Sequence, residues 1–328
     1  MRQKFFPTLD IQTVFTEPWT SQFEGSFQIV LMGFLVSLGC GLIGNFVVAR
    51  RLALVGDAIS HSLLPGIAIA FIFMASRSVT AMFIGAAIAG VATTLLIEFI
   101  QRQSRVKPDA AIGIVFTTFF AVGVVIISLW LDKVHLDPDC VLYGEIGFVP
   151  LHESISIGGL SLGPRPLVTM GFVALIDLLL VVIFYKQLLV TSFDAGLARS
   201  LGMPVKATHH GLMIALALTI VASFEAVGVV LVIAMIIFPA VTAGFFFERM
   251  PQLLWSVPVL ALSYALGGFH LATWLDCSIA GAMVVVAGGL FVLAWVFGPN
   301  GGLIRQWSTR FFLPREQVLG SVTDSVSG

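Results

Sequence analysis

This 328-residue sequence contains little charge and little cysteine, and both shortages narrow what the protein can be. Only 11% of its residues are charged, against about 25% in an ordinary soluble domain. That shortage excludes a soluble enzyme, a disordered protein and a nucleic-acid-binding protein. Cys40, Cys140 and Cys277 lie far apart with no C-x-x-C motif, so neither a disulfide framework nor a cysteine zinc site is indicated. The sequence also lacks the nucleotide-binding pattern GxxxxGK[ST], so an ATP-driven function would need a separate ATPase.

What the chain does contain is apolar sequence in long runs. Hydrophobic residues make up 58% of it, and the mean hydropathy is +1.02. A bilayer core needs about 20 apolar helical residues for each crossing. We therefore predict an all-α, polytopic helical membrane protein with eight or nine transmembrane helices. Single crossings are predicted at 27–49, 56–75, 79–98, 110–131, 167–185, 253–272 and 277–297.

The remaining apolar stretch, 211–247, is interrupted by Glu225 and Gly228. It is long enough for two short crossings, which we favour, or for one crossing and a re-entrant segment. Two crossings give nine in all. With the N-terminus outside, the cytoplasm then holds every Lys and Arg except Arg2, Lys4, Arg77, Lys133 and Arg165, as the positive-inside bias requires.

The chain divides into three parts on this basis. Residues 1–26 form an N-terminal segment that we expect to be external, and residues 27–298 form the transmembrane domain. Residues 299–328 form a polar tail on the cytoplasmic side. No function is assigned to the two terminal parts.

Ionisable residues inside the predicted crossings are the informative ones, because burying a charge in a bilayer is costly. Asp57 and His61 are four residues apart, so on a helix they share one face. A carboxylate and an imidazole that face one cavity can bind Mn²⁺, Fe²⁺ or Zn²⁺. The alternative is a hydrogen bond between them that only tethers helices. Asp177, within 167–185, has no evident local partner, and we expect it to bond to a neighbouring helix.

The longest outer loop, at about 132–166, is unusually polar. Asp137 and Pro138 favour the start of a short helix over about 138–149, which would return toward the membrane. Tyr143 and Glu145 would lie on that helix, where they could complete a cation site or belong to a solvated cap.

A second short helix is predicted in the cytoplasmic segment 186–210. Asp194 can cap its start, and Gly202 can end it. Leu197 and Leu201 form an apolar ridge that so short a helix cannot bury alone. The ridge therefore needs a partner, either the membrane bundle or another protein.

Three runs resemble the membrane subunits of the manganese, zinc and iron ATP-binding-cassette importers. The first is RRLALVGDAISHSLLPG at 50–66, the second is TSFDAGLARSLG at 191–202, and the third is AVGVVLVIAMIIFPA at 226–240. The resemblance implies that Asp57 and His61 lie on the metal pathway, with Tyr143 and Glu145 nearby. It also implies an ATPase-coupling helix near 193–202, which contains the residues Phe193, Asp194, Leu197, Arg199, Leu201 and Gly202.

The same resemblance implies the setting of the protein. It would be a multi-pass protein of the bacterial plasma (inner) membrane, without enzyme activity or a permanently bound cofactor. Its partners would be a cytoplasmic ATPase, an external metal-binding protein and either a second copy or a sister permease. The metal is not specified. Two alternatives stay open: a permease for iron chelates or cobalamin, and a secondary metal transporter that needs no ATPase.

Overall fold

The computed structural model describes residues 10, 12–74, 79–130, 146–157, 160–305 and 307, and these are mostly helical. A π-helical turn at Gln12–Thr16 comes first. A 3₁₀ turn at Ile146–Leu151 and an antiparallel ribbon of β1 (Ser154–Ile157) and β2 (Leu160–Pro164) lie between the fifth and the sixth α-helix. The α-helices, numbered in chain order, are α1 Glu17–Thr20, α2 Phe23–Ala49, α3 Ala53–Met74, α4 Val79–Gln103, α5 Pro108–Trp130, α6 Arg165–Ile183, α7 Tyr185–Phe193, α8 Ala195–Ser200, α9 Val205–Gly244, α10 Met250–Leu275 and α11 Ile279–Phe297.

Nine helical stretches within these described residues are long and apolar enough to cross a membrane. This confirms a polytopic helical membrane protein, with nine candidate crossings rather than eight. Helix α9 supplies two of them, Val205–Phe224 and Ala226–Gly244, which we call its first and second arms.

Helix α9 changes direction sharply at Gly228, the third residue of the second arm. Its backbone has φ 74° and ψ 170°, a conformation that is open to glycine and strained for other residues. A Cβ at Gly56 would lie 3.0 Å from Cδ1 of Ile236 and 4.0 Å from Cδ1 of Ile220. A straight helix would hold these isoleucines about 24 Å apart. The second arm therefore folds back beside the first.

The centre of the bundle is formed by α2 and the second arm of α9. Of the most apolar part of that arm, 72% is buried, compared with 22% for α5. The two central helices approach closely at Gly44, where a Cβ would clash with the carbonyl oxygen of Ile236. Small residues allow such contacts between membrane helices. Helix α5 lies at the edge of the bundle, next to α3.

In its described part, the outer loop has a different secondary structure from the predicted one. The sequence predicts an α-helix over 138–149, but the described part of that range belongs to the 3₁₀ turn that starts at Ile146. A proline inside this turn, Pro150, has no backbone N–H to continue an α-helical pattern. The β1–β2 ribbon was not predicted, since its strands are too short for a clear alternation. Residues 131–145 lie outside the described part of the chain.

Candidate functional site

Asp57 and His61 lie one turn apart on α3 and face the same side, as their spacing predicts. Nε2 of His61 is 3.4 Å from Oδ1 of Asp57. The side chains of Asp57 and His61 are 43% and 32% exposed, although α3 is a candidate membrane crossing. An ionised side chain that faces lipid is costly, so this side of α3 has to face water, an ion or another protein.

A buried serine and two aromatic rings surround this part of α3. Ser60 is buried on the adjacent side of α3, and its Oγ donates to the carbonyl oxygen of Gly56 at 3.0 Å. On the side of α3 that carries the pair, the His61 ring centre lies 5.8 Å from that of Phe116. It lies 6.1 Å from that of Phe120, which it meets edge on. Both phenylalanines belong to α5, so the pair lies where α3 meets the edge helix of the bundle.

The separation of the two ligand atoms suits binding of one ion by both side chains. Zinc ligands lie about 2.1 Å from the metal, and two of them at a tetrahedral angle are roughly 3.4 Å apart. The described residues contain no group of three or more His, Cys, Asp and Glu side chains that could hold a metal ion. Further ligands would have to come from water, a second protein or other parts of this chain. The two other predicted pathway residues, Tyr143 and Glu145, lie outside the described residues.

Asp177 on α6 has the interhelical partner that the sequence analysis expects. Its side chain is 1% exposed, and its Oδ2 accepts a hydrogen bond of 2.7 Å from Oγ1 of Thr219 on the first arm of α9. A Cβ at Gly39 on α2 would lie 3.2 Å from the same oxygen. Three helices therefore close around this carboxylate, which leaves it no open side for an ion.

The short helix predicted after residue 193 is present as α8. Oδ1 of Asp194 accepts hydrogen bonds from the backbone N–H groups of Gly196 and Leu197, at 2.8 and 2.9 Å. At the other end, the N–H of Met203 bonds to the carbonyl of Ala198, and Gly202 has φ 72°. This is the expected pattern for a glycine-terminated helix, so both ends of α8 are defined by local sequence.

The apolar ridge at α8 is exposed to solvent, as expected if it contacts another protein. Phe193, Leu197 and Leu201 are all solvent-exposed, whereas Ala198 on the opposite side is buried against the bundle. Arg199 is exposed as well. This arrangement leaves one face of α8 free to contact another protein.

Arg50 follows α2, where the sequence indicates only a basic residue at a membrane boundary. In the structure its guanidinium donates from Nε to Oγ of Ser192 and from Nη2 to Oγ1 of Thr191, both at 2.9 Å. Nη1 lies 3.1 Å from Nδ1 of His209. A guanidinium can only donate, so His209 accepts through Nδ1 and carries its proton on Nε2. Burial lowers the pKa of Arg50, but a guanidinium remains charged at neutral pH.

Arg50 and its partners border a cavity of about 950 Å³ at this end of the bundle. Glu98 on α4 also borders it, and Oε2 of Glu98 lies 2.7 Å from Nδ1 of His210. The other carboxylate oxygen of Glu98 contacts Arg102 one turn later. Arg199 from α8 completes this side of the cavity. No pattern in the sequence could have identified these contacts, because most of the partners are far apart along the chain.

Taken together, these features are the ones expected of a membrane-spanning transport subunit. A carboxylate–imidazole pair lies on a crossing helix, an exposed amphipathic helix lies at one end of the bundle, and the sequence has no P-loop. The model of the ABC 3 transport family matches residues 22–298, and the chain belongs to this family.

Comparisons with individual proteins agree with that family. The chain is 42% identical over 281 residues to the zinc transport system membrane protein TroD of Treponema pallidum, covering 86% of this chain and 76% of TroD. It is 40% identical over 276 residues to the manganese transport system membrane protein MntD of Bacillus subtilis, covering 84% and 93% of the two chains. Its fold is similar to a chain in the structure of PsaBC from Streptococcus pneumoniae in complex with Fab, with a TM-score of 0.74 and 28% identity over 90% of this chain and 99% of that one.

Proposed function

We propose that this chain is the membrane permease of an importer that moves a divalent transition metal ion, manganese, zinc or iron, into the cytoplasm. A separate ATP-binding-cassette ATPase supplies the energy, because the sequence has no P-loop. Relatives named for zinc and for manganese transport support this proposal. The observation that carries it is the exposed Asp57–His61 pair on a membrane-crossing helix.

In this proposal, Asp57 and His61 replace water ligands of the ion as it crosses. Imidazole nitrogen and carboxylate oxygen are suitable ligands for Mn²⁺, Fe²⁺ and Zn²⁺. His61 binds a metal only in its neutral form, because the ligating ring nitrogen has to be unprotonated. Tyr143 and Glu145 remain proposed as further oxygen ligands or as residues at the entrance. The ion is cargo, so a weak and exchangeable site serves transport better than a permanent one.

The position of the pair also supports a paired permease. Asp57 is partly exposed, and its partner His61 lies beside α5, the least buried of the nine candidate crossings in the described residues. A second copy of this chain, or a sister permease, would cover this edge and enclose the pathway between the two subunits. It would also supply ligands beyond the two that one chain contributes here.

Helix α8 is the proposed contact with the ATPase. Its exposed residues Phe193, Leu197 and Leu201 would insert into a groove of the partner, and Arg199 would add a charged contact. Asp194 and Gly202 fix the two ends of the helix, so that it moves as a unit. ATP binding would then move α8 and switch the access of the metal pathway from one side to the other.

The proposed location is the bacterial plasma (inner) membrane, with the Arg50 end of the bundle in the cytoplasm. The bias of basic residues toward that side supports this orientation. An external metal-binding protein would deliver the ion at the opposite end.

The test is metal accumulation in cells that lack their own high-affinity metal importers. The cells co-produce this chain, its ATPase and its binding protein, and elemental analysis follows manganese, zinc and iron. We expect one of the metals to accumulate with the natural chain and uptake to be lost in Asp57→Ala and His61→Ala. His152→Gln, a change of an exposed histidine outside the crossings, is the matched control.

Membrane levels of each variant are measured beside uptake. If no metal accumulates with the natural chain, the proposed function is wrong. If the Asp57 and His61 variants transport as well as the natural chain at equal membrane levels, the pair is a structural tether. The metal would then cross the protein through a different set of residues.

A further inference from the structure

The end of α2 is joined to two other helices by a single side chain. Arg50 donates to Ser192 and Thr191 at the end of α7, and to His209 near the start of α9. Charge-assisted hydrogen bonds of this kind are stronger than neutral ones and fix geometry. The hydroxyl partners are themselves oriented, since Oγ of Ser192 and Oγ1 of Thr191 each donate to a carbonyl one turn earlier in α7.

The partners of Arg50 in α7 lie immediately before the coupling helix. Ser192 is separated from the capping residue Asp194 by Phe193 alone. The N–H of Asp194 still bonds to the carbonyl of Val190, so α7 leads into the cap without a flexible linker. A displacement of α8 therefore displaces the hydroxyl groups that hold Arg50.

On its other side, Arg50 leads directly into the helix that carries Asp57 and His61. The turn between α2 and α3 is short, and the N–H of Leu52 bonds back to the carbonyl of Val47 at 3.0 Å. Arg51 has φ 60°, a left-handed conformation that the tight turn imposes. At 1.5 Å per residue, Asp57 lies about 6 Å along α3 from its first residue. A short, hydrogen-bonded stretch of chain thus joins the α2–α3 corner to the Asp57–His61 pair.

We propose that Arg50 is a positioning residue that transmits movement of α8 to the α2–α3 corner, and through it to Asp57 and His61. This inference rests on the proposed function, in which α8 receives the movement and the pair binds the ion. Arg50 touches neither the ion nor the ATPase in this role. It couples the two by holding three helices at one point.

The test uses the complete complex of permease, ATPase and external binding protein in proteoliposomes. Metal imported and ATP hydrolysed are measured in the same vesicles, and their ratio is the readout. Arg50→Gln keeps much of the side-chain length but cannot make all three charged contacts. We expect it to keep ATP hydrolysis while the ratio of metal to ATP falls about tenfold, a change within the usual range for coupling between sites.

Two further variants separate coupling from folding. Thr191→Val with Ser192→Ala leaves Arg50 in place but removes its α7 partners, and we expect the same loss of ratio. Arg50→Lys keeps the charge with fewer directed donors, and we expect an intermediate ratio. Arg51→Gln is the matched control, because Arg51 is the exposed neighbour and its change removes the same charge. We expect it to leave the ratio unchanged.

The outcomes distinguish this inference from the proposed function. If the natural complex imports metal and Arg50→Gln keeps its ratio of metal to ATP, the role of Arg50 in coupling is overturned. The role is also overturned if Arg50→Gln lowers import and ATP hydrolysis together, in proportion to the complex assembled, because Arg50 would then only support folding. If the natural complex imports no metal, the proposed function itself fails.

Discussion

Asp57 and Asp177 are both carboxylates within membrane-crossing helices, yet their surroundings differ sharply. Asp57 is partly exposed at the edge of the bundle and shares its face of α3 with His61. Asp177 is fully buried between three helices and accepts a hydrogen bond from Thr219. The sequence alone shows that both are ionisable residues within predicted crossings. Placing such a residue in a bilayer costs free energy, which indicates that each has a structural or functional role.

The difference shows that a charge-bearing residue in a membrane helix has two distinct uses. An exposed carboxylate beside an imidazole can exchange water for an ion, since space and a second ligand are available. A buried carboxylate that meets a hydroxyl and the backbone of a third helix has no such space, so it acts as a tie between helices. Access to solvent, more than residue type, distinguishes the proposed transport site at Asp57 from the structural contact at Asp177.

The largest expected effect is the loss of stabilisation by metal, which should distinguish Asp57 from Asp177. Manganese or zinc should raise the thermal unfolding temperature of the natural protein. A free ion concentration of about 100 times the Kd stabilises the folded state by about 2.7 kcal/mol. Asp57→Asn and His61→Gln should lose this increase, whereas Asp177→Asn should keep it. Thermal unfolding in detergent, with and without metal, measures all four proteins.

The proposed difference between the two carboxylates would be contradicted if Asp177→Asn abolished the metal-induced increase in unfolding temperature and Asp57→Asn did not. A chelator added after the metal provides the reversal control, since it should return the natural protein to its metal-free unfolding temperature. Because apparent stabilisation depends on the free metal concentration, every protein has to be compared at the same concentration.

Local sequence was sufficient to predict several of these features. Hydropathy predicted the crossings, and a spacing of four residues placed Asp57 and His61 on one face. The turn chemistry of Asp194 and Gly202 predicted both ends of α8. Each of these features depends on residues within one or two helical turns, which is the range over which sequence patterns carry structural information.

The contacts between distant segments could not be predicted in this way. Arg50 meets Thr191, Ser192 and His209 only because α2, α7 and α9 pack together at one end of the bundle. Thr219 was one of many small polar residues in an apolar stretch, and nothing nearby marked it as the partner of Asp177. Hydropathy specifies how many helices cross, but the packing of those helices decides which side chains meet.

A smaller effect is expected from removing the buried tie. Asp177→Ala should lower the free energy of unfolding by about 1 kcal/mol, because polar contacts between membrane helices contribute modestly. Without Asp177, the single hydroxyl proton of Thr219 can be donated to the carbonyl of Ala215, 2.8 Å away, which limits the loss. Asp177→Asn retains an acceptor oxygen and should be close to neutral. Unfolding in detergent measures both, and an equal cost for the two variants would contradict a hydrogen-bonded tie.

The most local effect is expected at α8, outside the crossings. Asp194→Ala removes the acceptor for the N–H groups of Gly196 and Leu197, and such caps contribute about 1 kcal/mol. Because α8 is short and exposed, the loss should be local: the amides of Gly196 and Leu197 should exchange hydrogen faster, while those of α2 and α3 should not change. Asp194→Asn and Asp194→Ser keep a capping oxygen and should preserve the protection. If Asp194→Ala also accelerated exchange around Asp57, the effect of the cap would not be local, and α8 and the α2–α3 corner would unfold as one cooperative unit.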